Sequence, residues 1–380
     1  MRKLLVAIGV SCASLLSVTA AFTSGTIKIG ALFSVTGPAS FLGEPEKKTL
    51  EMLVKDLNDK GGINGQKLEA VIYDTGGDPT KATQLAVKLI KNDKVAVIVG
   101  PSTTGESMAV IPVAEKEQIP LVSCAAGIKI TDPVKKWVFK TPANDHVAAE
   151  KILIQMARHK QKNIALLTVT DGYGSSGREQ IKNLAAQKGF KIVADEVYGP
   201  KDTDMTAQLT KIRGIKPDAI ICWGTNPGPA VVTKNVRQLG IKIPLYMSHG
   251  VASKKYIELA GAEAAEGVML PAGKLAVYDV ISKSDPQQKL LRDYDQAYKK
   301  TYGVEASTFG GYAYDSFLLV TNAIKKSGST PEQIRNGIEQ THKLVSISGV
   351  FNMSPRDHNG LDLSAFEMVR IVKGDWSLIK

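Results

Sequence analysis

The sequence predicts an α/β protein made of two successive doubly wound parallel sheets. Strand-like and helix-like segments alternate from residue 26 onward, and the alternation starts afresh after residue 144. The strands are short, nearly continuous apolar runs rich in β-branched residues, as expected of strands covered by helices on both faces. Val95 to Gly100 is such a run, and it leads through Pro101 into Ser102, Thr103 and Thr104, with Gly105 and Glu106 opening a helix.

Taken in order, Ile27 to Phe33 reads as a strand. Glu46 to Asp59 reads as a helix whose apolar stripe is Leu50, Leu53, Val54 and Leu57. Gly61 to Gly65 is a turn, Leu68 to Tyr73 a strand, Pro79 to Asn92 a helix, and Val95 to Gly100 the next strand. Met108 to Gln118 is helical and Pro120 to Ser123 a short strand. Thr141-Pro142-Ala143 marks a boundary between units. The second series has helices at Asn144 to Arg158, Ser176 to Lys188, Met205 to Arg213 and Pro229 to Leu239. Its strands are Asn163 to Val169, Lys191 to Val197, Ala219 to Trp223 and Leu245 to Ser248. From Pro271 the chain supplies helices at Asp285 to Tyr302, Thr308 to Ser327 and Pro331 to Gln340, then strands at Gly349 to Met353 and Phe366 to Lys373. By pattern alone this late segment either forms a third domain or returns to complete the first two.

The N-terminus has the layout of a cleavable secretory signal peptide over residues 1 to 21: Arg2 and Lys3, the apolar run Leu4 to Val18, then small residues ending at Ala21. The run is interrupted by Ser11, Cys12 and Ser14, which disfavours a membrane anchor, and Gly9 stands where a lipidated Cys12 would want Leu. The roughly 360 residues that follow suffice for two domains with real cores. The formal net charge is +11, but the lysines are spread singly along helices and no basic block is interleaved with aromatics. Nucleic acid is therefore not an expected partner. Past the leader only Cys124 and Cys222 remain, each in or beside an apolar run, so no disulfide framework is expected. The five histidines have no metal-ligand spacing, and neither CxxC nor HExxH occurs, so no metal or cofactor is expected.

A helix N-terminus leaves backbone N–H groups unpaired and carries partial positive charge. With three hydroxyls beside it, the Ser102 to Thr104 turn suits a small anion, especially a carboxylate; a simpler role is that Ser102 or Thr103 only caps the helix. Asp171-Gly172-Tyr173-Gly174-Ser175-Ser176-Gly177 follows a strand and contains GxGxxG, with Asp195 and Glu196 about 20 residues on, as a dinucleotide site would require. Glycines at a strand-helix turn also arise from packing alone, and Tyr173 there could cover a ligand with an apolar ring and a polar tip. His249 lies at a strand's C-terminal end, where α/β sheets bind ligands. GxSxG does not occur, and no carboxylate pair for glycoside chemistry is identifiable, so the chain is not read as an enzyme.

From about residue 26 to 380 the chain resembles the periplasmic substrate-binding proteins of branched-chain amino acid type ABC transporters, the Leu/Ile/Val-binding family. The resemblance rests on Ile27-Lys28-Ile29-Gly30 leading to Gly37-Pro38, and on Asn58 to Gly65. It also rests on Tyr73-Asp74 with Asp78-Pro79, Gly100 to Thr104, Asp171 to Gly174, and Gly261 to Gly267. It implies a type I periplasmic binding protein fold: two Rossmann-like lobes joined by three crossing strands, with the ligand cleft between them. Residues 26–142 plus 273–349 would form lobe 1, and 143–272 plus 350–380 lobe 2. The resemblance also implies periplasmic export, a monomer, and an inner-membrane ABC permease that reads hinge closure.

By the same resemblance the carboxylate seat falls on Ser102, Thr103 and Thr104, with Ala125 and Ala126 in the second loop. The covering aromatic falls on Tyr173, and the side-chain pocket on Phe41, Leu42, Thr225 and Asn226, with His249 placed for a distal substituent. Amino-acid binders of the family hold the ligand's ammonium with a Thr and a Glu at positions that here are Gly127 and Gly250. A buried ammonium without its counter-charge costs on the order of 2 to 5 kcal/mol, tens- to thousands-fold in affinity. The family's disulfide in the first lobe is also absent, Gly77 and Thr103 standing at its positions. The expected ligand is thus a small carboxylate without an α-ammonium group. An aromatic acid such as benzoate, hydroxybenzoate or cinnamate is favoured, its ring held between Tyr173 and Phe41. A branched-chain or other amino acid or amide, its amine held by Asn226 or Asp171, is the alternative. A secreted NAD-dependent oxidoreductase built on Gly172 to Gly177 is a remote one.

Overall fold

The computed structural model describes residues 25–379, so the leader expected over residues 1–21 lies outside the described residues. The first half of the fold is β1 (Ile27–Phe33), α1 (Ser40–Asp59), β2 (Leu68–Asp74), α2 (Pro79–Lys88), β3 (Val97–Val99), α3 (Thr104–Glu117), β4 (Leu121–Ser123) and β5 (Val138–Lys140). These strands make one parallel sheet in the order β2-β1-β3-β4-β5. The order reverses at β1, so the C-terminal ends of β1 and β3 open onto a crevice, where doubly wound sheets bind ligands.

The second series is α4 (Asp145–Arg158), β6 (Asn163–Val169), α5 (Gly172–Lys188), β7 (Lys191–Tyr198), α6 (Thr206–Ile215), β8 (Ala219–Trp223) and α7 (Gly228–Gln238). It continues through β9 (Leu245–Met247), α8 (Lys254–Ala260), α9 (Ala262–Ala265) and β10 (Met269–Gly273). The chain then adds α10 (Gln288–Tyr302), α11 (Thr308–Ser327), α12 (Pro331–Glu339), β11 (Leu344–Val345), β12 (Val350–Phe351), β13 (Phe366–Val372) and β14 (Asp375–Leu378). The late segment forms no third domain: α11 packs on α1 and β3, while β13 and β14 extend the second sheet, ordered β14-β13-β10-β9-β8-β6-β7. Both pair antiparallel, whereas β6 to β10 are parallel.

The two sheets belong to two lobes, and the chain passes between them after β5, at the end of β10, and between β12 and β13. The first and third passages are tied together: Asn359 Nδ2 donates to Pro142 O at 2.9 Å, and the His358 ring stacks on Phe139 at 4.2 Å. Each sheet is sealed by apolar side chains on both faces, such as Ile29, Ile98 and Phe139 in the first and Ile221, Tyr246 and Val369 in the second, all fully buried. No helix among the described residues is long and apolar enough to cross a membrane.

β3 begins at Val97 rather than Val95 because a π-helical turn over Leu89–Asp93 ends in left-handed Lys94, and the chain straightens only after it. β5, β10, β11 and β14 go unmarked in the residue pattern; β5 and β11 are too short to show a period.

Candidate functional site

Both sheets deliver their site loops from the C-terminal ends of strands. After β3, Gly100 takes φ +89° because a side chain there would meet the Leu32 carbonyl. The loop turns into α3, capped by Thr103. Thr103 Oγ1 accepts the Glu106 N–H at 3.2 Å, and Glu106 Oε2 accepts the Thr103 N–H at 3.2 Å, a closed capping box. Two of the three hydroxyls expected at the anion seat are thus already engaged. Thr103 also donates to Glu106, and Ser102 Oγ bonds the buried Glu46 carboxyl while accepting the Ser34 N–H at 3.0 Å. Thr104 Oγ1 accepts the Gly127 N–H at 3.3 Å and keeps its own hydrogen. The Thr104 and Gly105 N–H groups have no partner among the described residues.

The second loop, Cys124 to Gly127, lies against the first. Cys124 N donates to Pro101 O, Ala125 N to Ser123 Oγ, and Ala126 O accepts from Lys140 Nζ at 2.7 Å. From the other lobe α5 starts opposite α3. Asp171 caps it through Gly174 N at 2.7 Å, and a Cβ on Gly172 would stand 3.6 Å from Gly105 N. Two helix N-termini therefore face each other across the gap, a field that favours an anion. The lobes also meet directly, Ile128 N donating to Ser176 Oγ at 3.2 Å and Lys129 pairing with Glu179 at 2.7 Å.

Between them is a cleft of about 330 Å³. Leu42, Ser102, Thr103, Thr104, Ala125, Ala126, Tyr173, Thr225, Asn226, His249 and Gly250 all line it, brought together from both lobes. Two expected residues do not. Phe41 points out of the cleft, its ring edge-on to Phe309 at 5.4 Å, into a separate groove with Lys48 and Tyr298, so the Tyr173–Phe41 sandwich does not form. Gly127 is covered by Thr104, whose Cγ2 lies 2.4 Å from where a Cβ would be. Sequence reasoning missed Tyr198, Phe309 and Tyr312, which supply most of the aromatic wall. Phe309 and Tyr312 sit on α11, far along the chain, in an ordinary helical stripe that carries no local signal.

The Tyr173 hydroxyl accepts the Gly250 N–H at 3.0 Å and lies 3.3 Å from His249 Nδ1. Burial, with Lys140 adding to it, holds the His249 pKa down at about 3, so the imidazole is neutral. The phenol hydrogen goes to Nδ1, leaving the imidazole proton on Nε2, which faces Asp145 Oδ1 at 4.0 Å. Asp145 is raised to about 7 by burial, opposed by Lys140, and Lys140 is lowered to about 7 by burial, opposed by Asp145. Both polar atoms of the Asn226 side chain lack a partner among the described residues although the residue is only 5% exposed.

The sole carboxylate lining the cleft among the described residues is Asp171, and it is spent as a helix cap; burial raises its pKa. The GxGxxG stretch has a packing explanation. A Cβ on Gly174 would lie 1.9 Å from Val169 O, and one on Gly177 2.1 Å from the Trp223 indole, so helix and strands approach too closely for any side chain. Among the described residues no group of His, Cys, Asp and Glu is arranged to hold a metal ion.

A family model described as periplasmic binding protein matches residues 26–374. The chain is 27% identical over 318 residues to the leucine-, isoleucine-, valine-, threonine-, and alanine-binding protein of Pseudomonas aeruginosa, covering 82% of each chain. An extracellular ligand-binding receptor from Rhodopseudomonas palustris HaA2 is 32% identical, with a TM-score of 0.87 over 93% of this chain and 99% of that one. The branched-chain amino acid transporter substrate binding protein LivJ of Streptococcus pneumoniae, solved in complex with isoleucine, is 26% identical with a TM-score of 0.82, over 94% and 100%. By name these relatives are solute-binding proteins or ligand-binding receptors, not enzymes.

Proposed function

The chain belongs to the periplasmic binding protein family, and from that premise we propose that it binds a small carboxylate lacking an α-ammonium group in its inter-lobe cleft. It hands this solute to an inner-membrane ABC permease. The observation that carries this reading is the lining of the cleft: two helix N-termini for an anion, and a single carboxylate, Asp171, which already caps α5 through Oδ1. An ammonium buried away from Asp171 would lose its hydration without a counter-charge, at a cost of about 2 to 5 kcal/mol. By the family resemblance the groups that hold an amino acid's ammonium would stand at Gly127 and Gly250, and at both the space a side chain would take is filled, by the Thr104 methyl and the Tyr173 phenol.

Tyr173, Tyr198, Phe309 and Tyr312 wall the cleft, which supports an aromatic acid such as benzoate, hydroxybenzoate or cinnamate. Asn226 then takes the distal polar group. A second reading, a branched-chain or other amino acid or amide, has the names of the relatives and the presence of Asp171 at the wall in its favour. Calorimetric titration of benzoate, 4-hydroxybenzoate, cinnamate and 2-oxoisocaproate against leucine and glutamate separates the two. The acids should bind more tightly; leucine binding more tightly than every acid overturns the proposal. Mass spectrometry of whatever the purified protein retains would name the solute.

A further inference from the structure

Directly beneath the anion seat are two carboxyl groups that the ligand reading does not use. Glu46 on α1 and Glu106 on α3 are both completely buried, and neither forms an ion pair with a Lys, Arg or His among the described residues. One oxygen of each, Oε1, has no hydrogen-bond partner. They are not equivalent. Glu106 Oε2 accepts from the Ser34 hydroxyl at 2.9 Å, the Thr103 hydroxyl at 2.7 Å and the Thr103 N–H at 3.2 Å, and it lies in the first turn of a helix. Glu46 meets a single donor candidate, Ser102 Oγ, and so has far less hydrogen-bond support than Glu106.

Ser102 is the pivot, because it touches Glu46 on one side and lines the cleft on the other. A hydroxyl has one hydrogen and two lone pairs. If Glu46 is ionised, that hydrogen must go to Glu46, and Ser102 turns only a lone pair toward a bound anion. If Glu46 carries a proton, it donates to Ser102 Oγ, the Ser34 N–H fills the second lone pair at 3.0 Å, and the Ser102 hydrogen is free to point into the cleft.

We propose that Glu46 is a positioning residue that acts in its protonated form, reversing the Ser102–Glu46 hydrogen bond so that Ser102 donates to the carboxylate of the bound solute. The proposal rests on the reading that a carboxylate occupies the α3 end of the cleft. The balance of the surroundings of Glu46 favours the neutral form. Burial is the largest influence and Glu106 adds to it, while Ser102 opposes. Cys124, from the loop after β4, and Tyr312 of α11 are buried beside it and uncharged. Asp315 lies beyond Cys124, tied to Ser346, Ile347 and Ser348, and Tyr294 of α10 reaches Thr49 one turn along α1.

The test is the pH profile of binding. Benzoate and cinnamate carry no group that titrates between pH about 6 and about 10, and 4-hydroxybenzoate and leucine are read only below pH about 8.5, under the titration of their phenol and ammonium. With whichever of these binds, wild-type affinity should fall about tenfold per pH unit once Glu46 ionises, levelling off after a total loss of about ten- to a hundredfold. Calorimetry in two buffers of different ionisation enthalpy should register uptake of up to one proton per solute bound in that range. Glu46→Gln keeps a permanent donor to Ser102 and should remove both the fall and the proton uptake, whereas Ser102→Ala should bind weakly at every pH. Tight wild-type binding with a flat profile and no proton uptake overturns the proposal alone, as does an unchanged alkaline fall in Glu46→Gln. Failure of all four probes to bind overturns the carboxylate reading and this proposal with it.

Discussion

The phenol oxygen of Tyr173 accepts the backbone N–H of Gly250 at 3.0 Å and stands 2.7 Å from the point a Cβ on residue 250 would occupy. Tyr173 thus takes the space of the side chain that Gly250 lacks, and the two residues are coupled.

Gly250→Ala should push the Tyr173 ring off His249 and weaken benzoate binding by tenfold or more, with an overpacking cost of about 1 to 3 kcal/mol in stability. Tyr173→Phe removes one of the two atoms 2.7 Å from that point, Cε1 being the other, so it relieves the clash in part and should itself lose only about 0.5 to 1.5 kcal/mol. The double variant should therefore be milder than the sum of the two, and calorimetry with thermal melts on all four proteins measures that coupling.

Thr104→Ala removes the acceptor for Gly127 N–H and a seat hydroxyl whose own hydrogen has no protein acceptor among the described residues. A loss of about 1.5 to 3 kcal/mol, roughly 10- to 150-fold in affinity, is expected for an acid ligand, read from its dissociation constant. An unchanged constant would remove Thr104 from the seat.

Glycines within helices should behave oppositely according to what surrounds them. Gly177→Ala drives a Cβ to 2.1 Å from the fully buried Trp223 and should destabilise by several kcal/mol. Gly214→Ala in α6 has nothing within 4 Å and should stabilise by about 0.5 to 1 kcal/mol through helix propensity. Urea melts give both values.

His249 gives a signed pH dependence. Its folded pKa, about 3, lies below the usual 6.5, so between those values the unfolded chain binds a proton that the native chain does not. Its contribution to stability is present above pH about 6.5 and is lost as pH falls toward 3, by up to tenfold in the folding equilibrium per pH unit. Relative to wild type, His249→Asn should therefore gain stability on going from pH about 7 to about 4, measured by denaturant melts at both.

The doubly wound lobes were legible because their signal is local: apolar runs such as Val97–Val99 and helical stripes such as that of α1 repeat over a few residues. The loops at strand ends were legible for the same reason, and eleven of the residues expected at the site do line one cleft. The direction of a side chain leaving a loop or helix start is not local. Phe41 could not be placed without Phe309, which is 268 positions away in the chain and turns it out of the cleft.

The amino-acid sequence by itself determined the two successive series of alternating strands and helices, the capped turn from Ser102 to Thr104, and glycines at positions 127 and 250. Only the tertiary structure decided what those groups can do. Ser102 Oγ is bonded to Glu46 from another helix, the cap of α3 is closed by Glu106, and the space above Gly250 is taken by Tyr173. A hydroxyl has one hydrogen to give and a glycine one empty volume to offer, and which neighbour takes them depends on contacts that form only when distant segments pack.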